Sequence, residues 1–247
     1  MKPYLSVVIP AYNEVKDIEN GVLTEVADYL RLQKYAWEVI IVNDSSTDNT
    51  LELIKKFVSK QPGFRVMDEP HRGKAGTVIA GMLSAQGEIV LFTDMDQATP
   101  LKEVEKFLPE FKEGYDGVIG KRTGRKGAPL ARKVMAYGFM VLRYLILRLP
   151  YKDTQCGFKA FKNEAAKKVF GKMKVFGENT SFTGPSVNAA FDLELLYISR
   201  KLGLRVIDVP VAWDYRESKR VSPIKDSVEA IFDMLRVRRN ALMGKYR

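Results

Sequence analysis

The chain has 247 residues, 46% of them apolar, with 40 Lys and Arg against 30 Asp and Glu, a formal net charge of +10. That length and apolar content suffice for one large buried core, and the charge favours an anionic partner: nucleic acid, a phosphorylated small molecule or an acidic membrane surface. The single cysteine, Cys156, excludes an internal disulfide, and with one histidine, His71, a zinc site or a Ser/His hydrolase is hard to assemble.

The chain opens MKPYLSVVIP and runs at once into a β-branched strand, LSVVI, so no cleaved leader is expected. A helical pattern, VKDIENGVLTEVADYLRLQ, comes next, then strand WEVIIV, helix TLELIKKFVSK, strand FRVM, helix KAGTVIAGMLSAQ and strand EIVLFT. Continuous apolar runs separated by helices of this length predict an α/β fold, with βαβ units around a mostly parallel, Rossmann-like sheet buried on both faces. Ligands of such sheets bind beyond the carboxyl ends of the strands. Three polar clusters therefore share one rim: PAYNE (10–14), NDSSTDNT (43–50) and TDMDQATP (93–100).

Residues 121–150 hold eight Lys and Arg and no Asp or Glu. A basic loop, GKRTGRKGAP, leads into a helix that is apolar yet studded with arginines, and only nine uncharged residues, 134–142, precede Arg143. A bilayer-spanning helix needs about 20 apolar residues. This segment is instead expected to lie on a membrane surface, its Arg and Lys toward anionic headgroups and Phe139, Met140, Leu142, Leu145 and Ile146 in the interface. The alternative is a core helix whose arginines pair with acids elsewhere. Further on, SVNAAFDLELLYISRKLG reads as a helix closed by Gly203, LRVIDVPVAW as a strand and WDYRESKRVSP as a polar loop. Residues 223–243 read as a basic amphipathic helix, whose Met234, Leu235 and Val237 suit either a membrane contact or packing on the sheet. No repeat or linker divides the chain, so residues 1–247 are expected to form a single catalytic domain.

Asp94 and Asp96 project to one side of an extended or turning segment, within reach of one cation beside a nucleotide diphosphate. Mg²⁺ and Mn²⁺ accept carboxylate oxygens while keeping phosphate and water ligands, and the ion offsets the repulsion between the two acids. The alternative is a solvated loop before a helix start at Thr99-Pro100 with Glu103. Asp44 is placed to bond a base or ribose, whereas Asp48 suits the cap of the next helix. Tyr12 is either a stacking partner for a nucleobase or an exposed turn aromatic. HRGKAG (71–76) opens a helix and suits an anion, with Lys74 as a point charge. It lacks P-loop spacing, and no G-x-G-x-x-G is present. His71 reads as a surface loop residue and Cys156 as a small buried one.

With SVVIPAYNE, IIVNDSSTDNT, GKAGTVIAGM and TDMDQATP in this order, the chain resembles the family 2 glycosyltransferases of GT-A fold. DTQCGFKAF (153–161), AFDLELLY (190–197) and VPVAWDYRESKRVSPIKD (209–226) resemble the polyprenyl-phosphate sugar synthases, those making dolichyl-phosphate glucose first and dolichyl-phosphate mannose next. The resemblance implies that Pro10, Tyr12, Glu14, Asp44 and Lys74 hold the nucleotide sugar, and that Asp94 and Asp96 bind nucleotide and a Mg²⁺ or Mn²⁺. It also implies that Arg122, Arg132, Arg216 and Lys219 gather round the donor and acceptor phosphates, Arg216 and Lys219 serving catalysis with the two acids. Ser45 and Ala75 stand where the family commonly has Gly. Ala98 fills the place of a metal-binding Gln of the mannose enzymes, which leaves Gln97, one position early, as a metal candidate.

The implied activity is inverting transfer of a hexose from UDP-glucose or GDP-mannose to a polyprenyl phosphate, peripherally on the cytoplasmic face of a membrane, without a nucleic-acid partner. Another acceptor, such as a growing polysaccharide, or a sugar nucleotidyltransferase are the alternatives. A phosphate acceptor with a second pKa near 6 is already ionised and needs no general base, which fits the excess of cations and the scarcity of histidine.

Overall fold

The computed structural model describes residues 2–123, 130–176, 191–214 and 223–246, the side chains of 130–137 and 223–228 apart. Its strands are β1 (Leu5–Ala11), β2 (Trp37–Asp44), β3 (Phe64–Glu69), β4 (Ile89–Phe92), β5 (Gly117–Thr123), β6 (Lys159–Lys162) and β7 (Val206–Ala212). They form one sheet in the order β3-β2-β1-β4-β6-β5-β7. All pairings are parallel except those of β6, which runs against both β4 and β5.

The helices are α1 (Val15–Glu19), α2 (Val22–Arg31), α3 (Thr50–Val58), α4 (Gly73–Ser84), α5 (Leu108–Lys112), α6 (Leu130–Leu147), α7 (Asn163–Phe170), α8 (Phe191–Lys201) and α9 (Pro223–Leu242), with a 3₁₀ turn at Leu101–Lys106. One core packs Val8, Ile40 and Val42 under α4, α7, α8 and α9, and the other packs Val7, Ile9 and Ile41 under α2 and α3. Because both faces are covered, β1, β2 and β4 carry unbroken apolar runs instead of alternation. The mostly parallel sheet follows the sequence expectation.

The helix expected over 15–33 is two helices. Gly21 stands at φ 86°, a left-handed conformation that glycine adopts freely, and α2 starts afresh at Val22. The alternative helix start at Thr99-Pro100 is present as the 3₁₀ turn from Leu101, in which Glu103 is buried and accepts the Ala212 amide of β7 at 2.9 Å.

The apolar face assigned to the basic segment needs correction. Phe139, Leu142 and Ile146 of α6 pack on the core, while Val141, Tyr144 and Leu145 face solvent, Leu145 at 68% exposure. Arg143, expected at headgroups, is buried: it donates to Thr154 Oγ1 at 2.9 Å and to the Tyr151 carbonyl. On α9, Met234 and Val237 are buried, and Phe232 and Leu235 are exposed. Among the described residues no helix is long and apolar enough to cross a membrane.

β1 has β2 on one side and β4 on the other. Connections therefore leave in opposite directions, opening a crevice at the carboxyl ends of β1 and β4.

Candidate active site

Two loops meet at that crevice and are laced together. After β1, Asn13 at φ 55° donates its backbone N–H to Ser46 Oγ at 3.1 Å, and its side-chain oxygen accepts the Thr47 amide at 2.9 Å. The Glu14 amide donates to Thr50 Oγ1 at 2.7 Å, fixing the turn that runs on from Pro10. Ser45 stands at φ 52°, which accounts for a general preference for glycine there, and its hydroxyl donates to the Glu69 carbonyl at 3.0 Å. Asp48 accepts the Thr50 amide at 3.0 Å, the helix-start role its position suggests.

Asp44 ends β2 with its side chain 3% exposed. One oxygen accepts the Arg72 amide at 2.7 Å, and the other lies 2.9 Å from His71 Nδ1. The His71 ring stacks on Tyr12, with centroids 4.7 Å apart and planes at 27°. His71 is thus no loose surface residue: it joins Asp44 to Tyr12, and these two nucleoside-pocket candidates from separate strand ends become one wall. Nothing in the spacing of the sequence announces that contact.

The third loop follows β4. Lys74, in the first turn of α4, places Nζ 2.5 Å from Asp94 Oδ1. Burial alone would lower the Lys74 pKa; the carboxylates of Asp94, Asp192 and Asp96 outweigh it and raise it. Asp96 Oδ1 accepts the Ala98 amide at 2.9 Å. Gln97 is buried at φ 49°, and its amide nitrogen donates to the Asp94 carbonyl at 2.9 Å. That contact ties its side chain to the backbone of Asp94.

Several residues that sequence reasoning missed complete the floor. Antiparallel β6 pairs Lys159 with Phe92, and beyond that pair Gly157, two residues before β6, lies against Asp94, two residues past β4. A Cβ on Gly157 would stand 2.2 Å from Asp94 Oδ2. Lys159 is fully buried, lies 5.5 Å from the centre of the Phe92 ring, and pairs with Asp192 of α8 at 2.7 Å. Burial pushes the Asp192 carboxyl above its usual range, against the pull of Lys159 and Lys74. The AFDLELLY motif carries Asp192 and DTQCGF carries Gly157; neither motif says by itself that these residues meet Asp94.

Arg122, near the end of β5, is paired with an acid. Its Nε and Nη2 donate to the two oxygens of Asp153 at 2.6 and 2.8 Å, and the guanidinium lies 5.4 Å from the centre of the Trp213 ring. Those donors clamp β5 to the loop before β6. The side chain of Arg132, and Arg216 and Lys219 entirely, lie outside the described residues. Asp214, the last described residue before the latter two, donates its amide to the Ala98 carbonyl at 2.8 Å.

These groups fit a hard divalent ion held jointly with substrate oxygens. Among the described residues no three His, Cys, Asp or Glu side chains form a complete cage. Asp94 and Asp96 offer two carboxylates, which suits an ion that retains phosphate and water ligands, and a cation, the Lys74 ammonium, already lies against Asp94.

Comparison with known proteins agrees with this arrangement. The chain is 30% identical to a dolichyl-phosphate beta-glucosyltransferase of Dictyostelium discoideum, over 98% of its own length and 76% of that protein's. It is 35% identical to a dolichyl-phosphate beta-glucosyltransferase of Trichomonas vaginalis, over 85% of this chain and 64% of the relative. Among solved structures, glucosyl-3-phosphoglycerate synthase of Mycobacterium tuberculosis, in complex with Mn²⁺, UDP-glucose and phosphoglyceric acid, superposes with a TM-score of 0.62 at 21% identity, covering 96% of this chain and 80% of that one. The shared fold is the GT-A glycosyltransferase fold. The pattern of glycosyl transferase family 2 matches residues 6–170, two thirds of the sequence including all three rim loops, and the chain belongs to that family.

Proposed function

We propose that this protein transfers glucose, with inversion, from UDP-glucose to a dolichyl-type polyprenyl phosphate at the cytoplasmic surface of a membrane, assisted by Mg²⁺ or Mn²⁺. The observation that carries this reading is the likeness, over 98% of the chain, to a relative named for that glucosyl transfer. The three loops that hold the shared motifs converge on one crevice, as a nucleotide-sugar site requires.

On this reading Tyr12 and Asp44, joined through His71, shape the nucleoside wall, and Lys74 faces the diphosphate. Asp94 and Asp96 hold the ion, which when bound neutralises charge on the departing diphosphate. The ionised acceptor phosphate attacks the anomeric carbon directly and needs no base. That suits a site whose buried acid, Asp192, is already paired with Lys159. Arg132, Arg216 and Lys219 are proposed to hold the two phosphates together, bidentate arginine contacts being well matched to phosphate. Arg122, paired with Asp153, is proposed to join them. The acceptor's tail stays in the bilayer, and the exposed Val141, Tyr144 and Leu145 of α6 with Phe232 and Leu235 of α9 are proposed to rest on its surface.

The test is a panel of nucleotide sugars incubated with a short polyprenyl phosphate and Mn²⁺, the lipid product read by mass. Glucosyl lipid from UDP-glucose is expected, with Asp94→Asn and Asp96→Asn each lowering turnover by about 100-fold or more. Release of pyrophosphate would mark a nucleotidyltransferase, and hexosyl lipid from none of the sugars would overturn the reading.

A further inference from the structure

Five ionisable side chains cluster in the crevice: the carboxylates of Asp94, Asp96 and Asp192 and the ammonium groups of Lys74 and Lys159. The two cations differ in freedom. Lys159 is fully buried and held by Asp192 and the Cys156 carbonyl, so it cannot leave. Lys74 sits at the rim, its side chain 38% exposed, against an Asp94 side chain 37% exposed. A partly exposed ion pair of this kind is weak, and a stronger partner displaces it. A diphosphate beside the first turn of α4 is such a partner, since it carries more charge than one carboxylate and offers several oxygens to the Lys74 ammonium.

We infer that Lys74 is the resident counter-ion of Asp94 and exchanges partners when the nucleotide arrives: the ammonium moves to the diphosphate, and Asp94 is released to a divalent ion. This rests on the proposed metal role of Asp94. Without nucleotide, Lys74 and the ion compete for one carboxylate oxygen, and metal binding is weak. With nucleotide, the competitor is removed at the moment phosphate ligands are supplied. The two ligands then assist each other, and by linkage the assistance is equal in both directions. The ion is thereby held back from an empty site.

Binding of Mn²⁺ is measured by the electron paramagnetic resonance signal of the free ion, with and without uridine diphosphate, on the wild type and on Lys74→Met, Lys74→Arg and Asp94→Asn. In the absence of nucleotide, Lys74→Met is expected to bind Mn²⁺ about tenfold more tightly than the wild type, because a cation that blocks the carboxylate is gone. Lys74→Arg keeps the charge and is expected to bind it as weakly as the wild type. Without metal, Lys74→Met is expected to bind uridine diphosphate about tenfold more weakly. Equal or weaker Mn²⁺ binding by folded Lys74→Met than by the wild type would overturn the exchange. Mn²⁺ affinity unchanged by Asp94→Asn, with or without nucleotide, would instead overturn the metal role of Asp94 and remove the basis of the proposal.

Discussion

Asp94 lies against a residue with no side chain, and that is how the structure aims it. The antiparallel pairing of β4 with β6 fixes Phe92 opposite Lys159 and so delivers Gly157 to the flank of Asp94, where any Cβ would overlap the carboxylate at 2.2 Å. The rest of the DTQCGF motif has equally specific work. Asp153 holds the fork of Arg122, and Cys156 fills the core beneath, its thiol pKa raised by burial. Gly157→Ala is therefore expected to leave the fold in place and displace Asp94. A misplacement of about 1 Å at a reacting group costs on the order of 100-fold in rate. Turnover of UDP-glucose should fall by about that factor, with a melting temperature within a few degrees of the wild type. Full activity in the alanine variant would mean that the position of Asp94 is not critical. Gly157 was visible in the sequence only as part of a motif, because its partner lies 63 residues away and depends on the register of a strand, not on any local pattern.

At the scale of elements, period and composition located most of the fold. β1 to β4, α3 and α4 are legible as apolar runs and helical stripes because a sheet covered on both faces demands them. α6 was legible as a helix but not in its orientation. It is apolar on more than one side, and a stripe that wide does not state which part meets the core. Arg143 settles the matter: by donating to Thr154 and Tyr151 it turns inward, which pushes Tyr144 and Leu145 out. α9 packs beside α6 and carries exposed Phe232 and Leu235 of its own. Burying a side chain such as Leu or Phe in an apolar medium contributes about 1.5–3 kcal/mol. Combining Leu145→Asp with Phe232→Asp is expected to lower sedimentation with anionic vesicles by tenfold or more. Transfer to a short, detergent-solubilised acceptor should stay within about twofold. Unchanged vesicle binding would contradict the docking face, whereas loss of both activities would point to damage in the fold.

Across the whole molecule, the rim was legible and its floor was not. The strand order puts the ends of β1, β2 and β4 side by side, so Tyr12, Asp44 and Asp94 follow from the logic of a parallel sheet. Lys159 and Asp192 arrive from the reversed strand β6 and from α8, whose positions no periodicity specifies, and yet they complete the electrostatics beneath Asp94. The net charge of +10 belongs to this same scale. For the proposed function its first consequence is long-range attraction for an anionic sugar nucleotide and an anionic bilayer before any contact forms. Such attraction is screened over a Debye length of about 10 Å at 0.1 M salt and about 3 Å at 1 M. Raising the salt across that range should lower kcat/KM for acceptor carried in anionic vesicles by roughly tenfold. Saturated kcat should stay within about twofold, because the short-range pairs at the crevice floor are far less screened than the approach. An equal fall in kcat and kcat/KM would place the salt effect inside the site, at the exposed Lys74–Asp94 pair, and not in encounter with the membrane.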